Sequence, residues 1–339
     1  MILSQLSYFL LLLFALSSNI YYNKKVFITT FFFAFMFIAL RDINVGRDTV
    51  VYKQIFDAVA SGSTTNYFVV TKEKGYIFLN SLFSDVGLGF RGIMVLSAAV
   101  PVYAFYKIIA KYGDCKYTAL VVFLVFTPFF FLHSGMRQGI AIGFGVFAII
   151  SVYENRKLLS LLYIFLATLF HLSSIVLILC YLFKFKYSKK LLLSLVLFSF
   201  ILSAFSGLYI SLISSVFSFA PERYMHLISS GLASGSGLGL RSLLITSLSA
   251  LILWKVSLDN INQFFIVGGV FYVCCNNLFS SLEIVSRLYL YFSPFLSIFL
   301  SYFPRVVPLP NVINRIVVFL VMAIFLTRSM STDTLGIFL

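Results

Sequence analysis

The stretch "MRQGIAIGFGVFAIISVYENRKLLSLLYIFLATLFHLSSIVLILCYLFK", residues 136–184, decides the fold class. It contains two long apolar runs that are separated only by the charged string "ENRK" at 154–157. About 20 mostly apolar residues suffice to cross a bilayer as a helix, because a helix satisfies its own backbone hydrogen bonds. The stretch therefore predicts membrane-spanning helices joined by a short charged connection.

The same composition extends over the whole chain. Hydrophobic residues make up 61% of the 339 and charged residues 11%, with a mean hydropathy of +1.02. A soluble domain is roughly half apolar and about a quarter charged. Eleven apolar blocks follow one another along the sequence. We therefore predict an all-α, polytopic integral membrane protein, one membrane domain over 1–339, with about 11–12 transmembrane segments.

Charge and cysteine usage exclude several classes of protein. The net charge is +14, but the basic residues form short groups between apolar runs instead of one stripe, which argues against a nucleic-acid partner. The four cysteines form no CxxC pair, so neither a disulfide framework nor a zinc site is indicated. Nothing resembles a DxD string or an EF-hand loop, and we predict no obligatory metal and no cofactor.

The apolar block at 158–182 conflicts with simple alternation of sides. It lies between two basic clusters, Arg156-Lys157 and 184–190, and the positive-inside rule assigns both to the cytoplasm. A single crossing cannot satisfy both. We therefore predict a broken or re-entrant hairpin near 158–183, with two half-helices that meet at "FHLSS" (170–174). A single crossing remains the alternative.

This topology separates the two basic residue types. It places eight Arg and three Lys on the outer side, against three Arg and eleven Lys on the inner side. The planar guanidinium suits bidentate phosphate contacts, whereas Lys acts as a point charge. The distribution favours a phosphate ligand on the outer side, where the loops 41–90 and 209–240 are expected to be interfacial.

Candidate functional residues lie at the ends of apolar runs. "FLHSGMRQGIAIGFGVF" (131–147) places Arg137 and Gln138 where a helix enters the bilayer, and ionisable residues there indicate function unless they only snorkel to the interface. Gly139, Gly143 and Gly145 instead predict close helix packing. His171 lies deep in the longest apolar block, either as a functional group or as a buried structural histidine.

Four further motifs supply candidate residues, although an ordinary solvated loop could contain the same charged and polar residues. In "KEKGYIFLNSLFSDVGLGF" (72–90) we expect an amphipathic interfacial helix with a polar face at Asn80, Ser81 and Ser84. The remaining candidates are Arg41 and Asp48 in "RDINVGRDTVVYKQIF" (41–56), Glu73 in "KEKGY", Arg223 and Tyr224 in "APERYMHLIS" (220–229), and Arg287 and Tyr289 in "SLEIVSRLYLYFSP" (281–294).

The order of "RDINVGRDT..Y", "EKGY", "MRQGIA", "ATLFHLSS", "ERY" and "SRLYLYF" resembles the EpsG-like family of Wzy-type polysaccharide polymerases over nearly the full chain. The resemblance implies a bacterial inner-membrane enzyme with its active site facing the periplasm. It would transfer a glycan from undecaprenyl diphosphate onto another lipid-linked repeat unit, as in O-antigen or exopolysaccharide synthesis. The implied partners are the donor, the acceptor, membrane lipid and a chain-length regulator protein.

For such a transfer, the site must stabilise a departing diphosphate and prepare an acceptor hydroxyl. We expect arginines to bind the diphosphate, carboxylates or a histidine to act on the hydroxyl, and polar side chains to bind the sugars. The respective candidates are Arg41, Arg137, Arg223 and Arg287; His171, Asp48 and Glu73; and Gln138, Tyr224 and Tyr289. The rival functions are a flippase for the same lipid-linked glycans, an O-antigen ligase and an acyltransferase.

Overall fold

The computed structural model describes residues 23–46, 48–62, 73–125, 129–207, 239–258, 262–280 and 283–306. Every regular element in these ranges is helical, as the sequence predicts. The α-helices are α1 Lys24–Ala39, α2 Thr49–Ala60, α3 Lys74–Asp85, α4 Gly89–Tyr112, α5 Lys116–Val125, α6 Met136–Tyr153, α7 Lys157–Phe170, α8 Lys189–Ser203, α9 Leu240–Lys255, α10 Gln263–Phe279, α11 Glu283–Tyr289, α12 Ser293–Leu300 and α13 Phe303–Val306. Shorter-pitched 3₁₀ helices cover Phe131–His133, Leu172–Lys184 and Leu290–Phe292.

The chain forms two compact units. Among the described residues, the first comprises those from 23 to 178 and the second those from 179 to 306. Helices α1 to α7 lie in the first unit and α8 to α13 in the second.

Helix α6 is the centre of the first unit and packs against both α4 and α7. At Gly143 a Cβ atom would lie 2.7 Å from Val100 Cγ1 and 3.0 Å from the backbone nitrogen of Pro101, so the backbones of α4 and α6 approach closely. At Gly145 a Cβ atom would lie 2.8 Å from Leu177 Cδ1. The packing role predicted for these glycines is confirmed, since small residues allow such helix contacts.

The predicted break in the block 158–182 is present at His171. Helix α7 ends at Phe170, His171 is extended with φ −157° and ψ 111°, and a 3₁₀ helix of 13 residues follows. The break lies within "FHLSS" as the sequence indicates. That both ends of the block lie in the cytoplasm stays a prediction.

The buried and exposed residues of the long 3₁₀ helix follow its pitch. It has about three residues per turn, so every third side chain falls on one face. The buried residues follow that spacing and are Ser174, Leu177, Cys180 and Phe183. On the outward face Leu172, Ile175 and Ile178 follow the same spacing, with 50% or more of each residue exposed, whereas Leu182, 49% exposed, departs from it.

Two described helices are long and apolar enough to cross a membrane by length and composition, α4 and α6. Both are mostly buried inside the protein, since 56% of the apolar window of α4 and 72% of that of α6 are covered.

Helix α8 in the second unit has its polar side inward. Its buried positions include Ser199 and Ser203, whereas Phe198 and Ile201 are 61% and 60% exposed. The Asn277 side chain donates to Ser199 at 3.1 Å and to Thr246 of α9 at 2.9 Å. Hydrogen bonds between helices combined with outward apolar side chains are typical of helices surrounded by lipid.

The polar face predicted for α3 is wrong at Asn80. The residue is fully buried beside Leu79, and its amide donates to Tyr76 O at 2.6 Å. The exposed side instead includes Phe78 and Leu82, 68% and 42% exposed. Packing of α3 against α2 and α4 explains the reversal, because the Tyr76 side belongs to a shared apolar cluster.

We expect Gly143→Val to destabilise the protein because the added atoms would collide with the α4 backbone. Overpacking of this kind costs about 1–3 kcal/mol. Thermal unfolding of detergent-purified protein measures the effect, with Gly207→Ala as the matched control, since no atom lies within 4 Å of a Cβ at Gly207. Equal melting temperatures for the two variants would contradict close packing of α4 on α6.

Candidate functional site

The Glu73 carboxylate joins two other parts of the chain. One oxygen, Oε2, forms a short ion pair with Arg137 Nη1 in the first turn of α6. The other, Oε1, lies 2.6 Å from His171 Nδ1 at the break after α7. All three side chains are largely covered, with 13% of Glu73, 21% of Arg137 and 29% of His171 exposed. A carboxylate, a guanidinium and an imidazole therefore meet at one point.

The contact with Glu73 determines which nitrogen of His171 is available. A carboxylate only accepts hydrogen bonds, so Nδ1 carries a proton and donates it to Oε1. In the neutral imidazole, Nε2 is then the acceptor. Among the described residues, none forms a hydrogen bond with Nε2. The geometry is that of a base oriented by a carboxylate.

Arg137 lies against two aromatic rings as well as the carboxylate. Its guanidinium carbon is 5.4 Å from the ring centre of Tyr52 and 5.9 Å from that of Tyr76. The two rings pack edge to face with their centres 5.6 Å apart. Cation–π contacts of this kind hold a guanidinium in a defined orientation. Burial raises the pKa of the Tyr52 phenol, and the nearby Arg137 opposes this shift.

Glycine at position 75 allows Glu73 to reach His171. A Cβ atom there would lie 2.8 Å from both Cβ and O of Leu169, near the end of α7. The first turn of α3 therefore touches the last turn of α7 directly. Glu73, which precedes α3, comes beside His171, which follows α7.

The loop after α1 is fixed to the turn that precedes α6. Gly46 has φ +95°, and a Cβ atom there would lie 2.2 Å from His133 O, so both the backbone conformation and the space require glycine. The Thr49 hydroxyl donates to Val45 O at 2.8 Å and also lies 3.2 Å from the His133 carbonyl oxygen. These contacts hold the start of α2, and with it Tyr52, close to Arg137.

Two further arginines meet where this loop begins, just after α1. The Arg41 side chain is 6% exposed, and its Nη1 donates to Ile38 O at 2.7 Å. Arg91, in the first turn of α4, donates from Nη1 to Arg41 O at 2.8 Å. Burial, followed by the nearby charge of Arg91, lowers the pKa of Arg41 to about 10. Arg41 is therefore still a cation at neutral pH.

Comparison with known proteins identifies the family. A model of the EpsG family matches residues 24–337 of the 339-residue chain. The chain belongs to the EpsG family. This is a family of Wzy-like polysaccharide polymerases and exopolysaccharide biosynthesis proteins, so the resemblance seen in the sequence motifs is confirmed. The curated proteins and the solved structures contain no match.

In this EpsG-family chain, the structure brings together three residues predicted separately, Glu73, Arg137 and His171. Asp48 directly precedes α2 and acts electrostatically on Tyr52, next to this cluster. Gln138 follows Arg137 but is only 3% exposed. Of the three residues predicted to act on a hydroxyl, His171 has a ring nitrogen, Nε2, without a hydrogen-bond partner among the described residues, whereas both Glu73 oxygens are engaged.

Two other predicted residues of the EpsG-family chain, Arg287 and Tyr289, belong to the second unit. Arg287 is an exposed residue of α11. Tyr289 is buried in the second unit, where its hydroxyl is 3.5 Å from Asn276 Oδ1 and its ring packs edge to face on Tyr272. Arg223 and Tyr224 lie outside the described residues. The ligand roles of these residues stay predictions.

Sequence reasoning assigns no role to Tyr52, Tyr76 or Arg91. Tyr52 and Tyr76 do end two of the strings that carry the resemblance to the EpsG family, "RDINVGRDT..Y" and "EKGY". That shared position is the signal that could have linked them to Arg137. For Arg91, at the start of a long apolar run, no signal separates an anchoring role from a ligand role.

We expect the Glu73–Arg137 pair to show a stabilising coupling energy in a double-mutant cycle. Either single variant, Glu73→Gln or Arg137→Gln, leaves the other charge uncompensated in a covered site, and the double variant removes both. Coupling between residues in direct contact is about 0.5–3 kcal/mol.

The exposed pair Lys53–Asp57 serves as the matched control for this cycle. Exposed pairs four residues apart on a helix couple by about 0.3–0.5 kcal/mol. Thermal unfolding of the purified variants measures both cycles. A coupling for Glu73–Arg137 no larger than that of the control would contradict a structural ion pair.

Proposed function

We propose that this protein is a polymerase that joins undecaprenyl-diphosphate-linked oligosaccharide repeat units on the periplasmic side of the bacterial inner membrane. The observation that carries the proposal is the contact of one carboxylate, Glu73, with both Arg137 and His171 in a member of the EpsG family. Such a cluster combines a cation for a diphosphate with a base for a hydroxyl.

We also propose that further helices, in addition to α4 and α6, cross the membrane. The outward faces of α7 and α8 support it, because Leu158, Phe165, Phe198 and Ile201 are all more than half exposed. Apolar surface of that extent is favourable in lipid and costly in water. The periplasmic orientation follows from the arginine-rich side that the positive-inside rule assigns to the outside.

In the proposed reaction, His171 prepares the acceptor. Its Nε2 takes the proton of the acceptor hydroxyl while Nδ1 remains hydrogen-bonded to Glu73. The freed oxygen attacks the anomeric carbon of the donor and forms the new glycosidic bond. Glu73 stabilises the positive imidazolium that results, as a positioning residue that does not itself take the proton.

Arg137 acts on the leaving group in this proposal. The bond between the anomeric carbon and the diphosphate oxygen breaks, and the electron pair leaves with the polyprenyl diphosphate. A guanidinium held by Glu73, Tyr52 and Tyr76 is preorganised for the negative charge that develops. Arg223 and Arg287 are proposed to assist, and Gln138, Tyr224 and Tyr289 to bind the sugars.

We expect His171→Gln to reach the membrane at normal abundance and to produce only single repeat units. Glutamine retains hydrogen bonding but lacks basicity, and loss of a positioned base lowers a rate by about 10²–10⁴-fold. Gel analysis of surface glycan from a complemented deletion strain measures the effect. Thr168→Val is the matched control, because Thr168 lies in the last turn of α7 and its hydroxyl donates to Phe165 O of the same helix.

The same strain distinguishes the rival functions. Surface glycan capped with single repeats means loss of a polymerase, absence of any repeat on the core means loss of a ligase, and lipid-linked units retained inside mean loss of a flippase. Normal polymer from His171→Gln would eliminate His171 as the base and leave Asp48 as the next candidate.

We expect Ser188 to lie in the cytoplasm. In a variant without native cysteines, an impermeant maleimide added from outside should label Ser61→Cys, beyond α2, and should label Ser188→Cys only after the membrane is disrupted. Both serines are exposed, so access differs only through sidedness. Labelling of Ser188→Cys in intact cells would overturn the hairpin topology and the shared outer location of the arginines.

A further inference from the structure

Arg41 is a buried cation with one edge of its guanidinium left without hydrogen-bond partners among the described residues. Nη1 is engaged by Ile38 O, whereas Nε and Nη2 are buried and have no hydrogen-bond partner among the described residues. Nε–H and the outer Nη2–H point from the same edge of the planar guanidinium. That edge is the one that binds two oxygens of a carboxylate or phosphate side by side.

A second cation lies beside it without a balancing carboxylate. Arg91 contacts the Arg41 backbone through Nη1, and in the described part of the chain neither arginine forms an ion pair. A buried charge is costly unless it is paired, and a like charge nearby adds to the cost. The lowered pKa of Arg41 expresses both effects. Without a bound anion, the two neighbouring arginine cations are therefore energetically unfavourable.

Arg137 has a different environment, although it belongs to the same unit. Glu73 neutralises it and two tyrosine rings cover it. An added anion would therefore gain more electrostatic binding energy at Arg41 and Arg91, because two positive charges there have no counter-charge among the described residues. A ligand with more than one negative charge matches them, which favours phosphate chemistry over a single carboxylate.

We propose that Arg41 and Arg91 form a second anion pocket, which binds a phosphate or diphosphate group. Arg41 holds two oxygens through Nε and Nη2, and Arg91, which is exposed, contacts the group from the solvent side. The pocket rests on the proposed function only for the source of its ligand. That source is either the diphosphate of a lipid-linked glycan or the phosphate of a phospholipid headgroup with a net negative charge.

Pyrophosphate binding to the purified full chain in a neutral detergent tests the pocket. We expect inorganic pyrophosphate to raise the melting temperature saturably for the unaltered protein and for the control variant Arg305→Gln. Binding to Arg91→Gln and Arg41→Met should weaken by about tenfold or more, since a charged hydrogen bond contributes about 1.5–3 kcal/mol.

Arg41→Met adds a readout that a purely structural arginine would not produce. Without pyrophosphate, the variant should melt at the same temperature or higher, because it removes an uncompensated buried charge. A lower melting temperature together with unchanged pyrophosphate binding would show that Arg41 only caps Ile38 O, and would overturn the pocket. Loss of binding in Arg137→Gln alone would overturn it too, because the anion would then lie at the Glu73 centre.

Nanodiscs distinguish the two sources. In phosphatidylcholine alone, pyrophosphate should bind as in detergent. If 30% phosphatidylglycerol abolishes the pyrophosphate response, the pocket takes a headgroup phosphate; if the response persists, it takes a diphosphate. These binding results do not depend on polymer formation, so failure of the proposed polymerase activity and failure of the pocket are separate outcomes.

Discussion

The ion pair and hydrogen bond of the Glu73 carboxylate hold three distant segments of the first unit at one point. Arg137 and His171 lie 64 and 98 residues further along the chain. Each member needs the others, because a covered cation or anion without its partner is costly. The same carboxylate thus stabilises the fold and determines the hydrogen-bonding pattern of the imidazole, so structure and proposed chemistry depend on one group.

The break at His171 allows its imidazole to contact the Glu73 carboxylate. Inside a regular helix, the imidazole would project from a continuous apolar surface, whereas the extended residue between α7 and the 3₁₀ helix turns to meet Glu73. The outward faces remain apolar on both sides of the break, with Leu161 and Phe165 before it and Leu172 and Ile175 after it. A polar contact is thereby accommodated without interrupting the apolar exterior.

Two arginines of the same unit show how local partners change a side chain's role. Arg137 is neutralised and oriented, which suits stabilisation of charge that develops during a reaction. Arg41 is buried with two nitrogens unpartnered in the described residues, and its neighbour is another cation. That environment suits attraction of a ligand already charged. The difference lies in one carboxylate, which Arg137 contacts and Arg41 does not.

Hydropathy, basic clusters and short motifs are local properties of the sequence, and they predicted the helical class, the break within "FHLSS", the packing role of Gly143 and the family. They also identified Glu73, Arg137 and His171 as candidates, but gave them independent roles. The folded chain shows in addition that the three share one carboxylate, that Asn80 points inward, and that Arg41 forms no ion pair in the described part of the chain. Contacts of this kind depend on which helices touch. The close approach of Gly75 to Leu169 is a property of two packed surfaces, and spacing along the chain does not encode it.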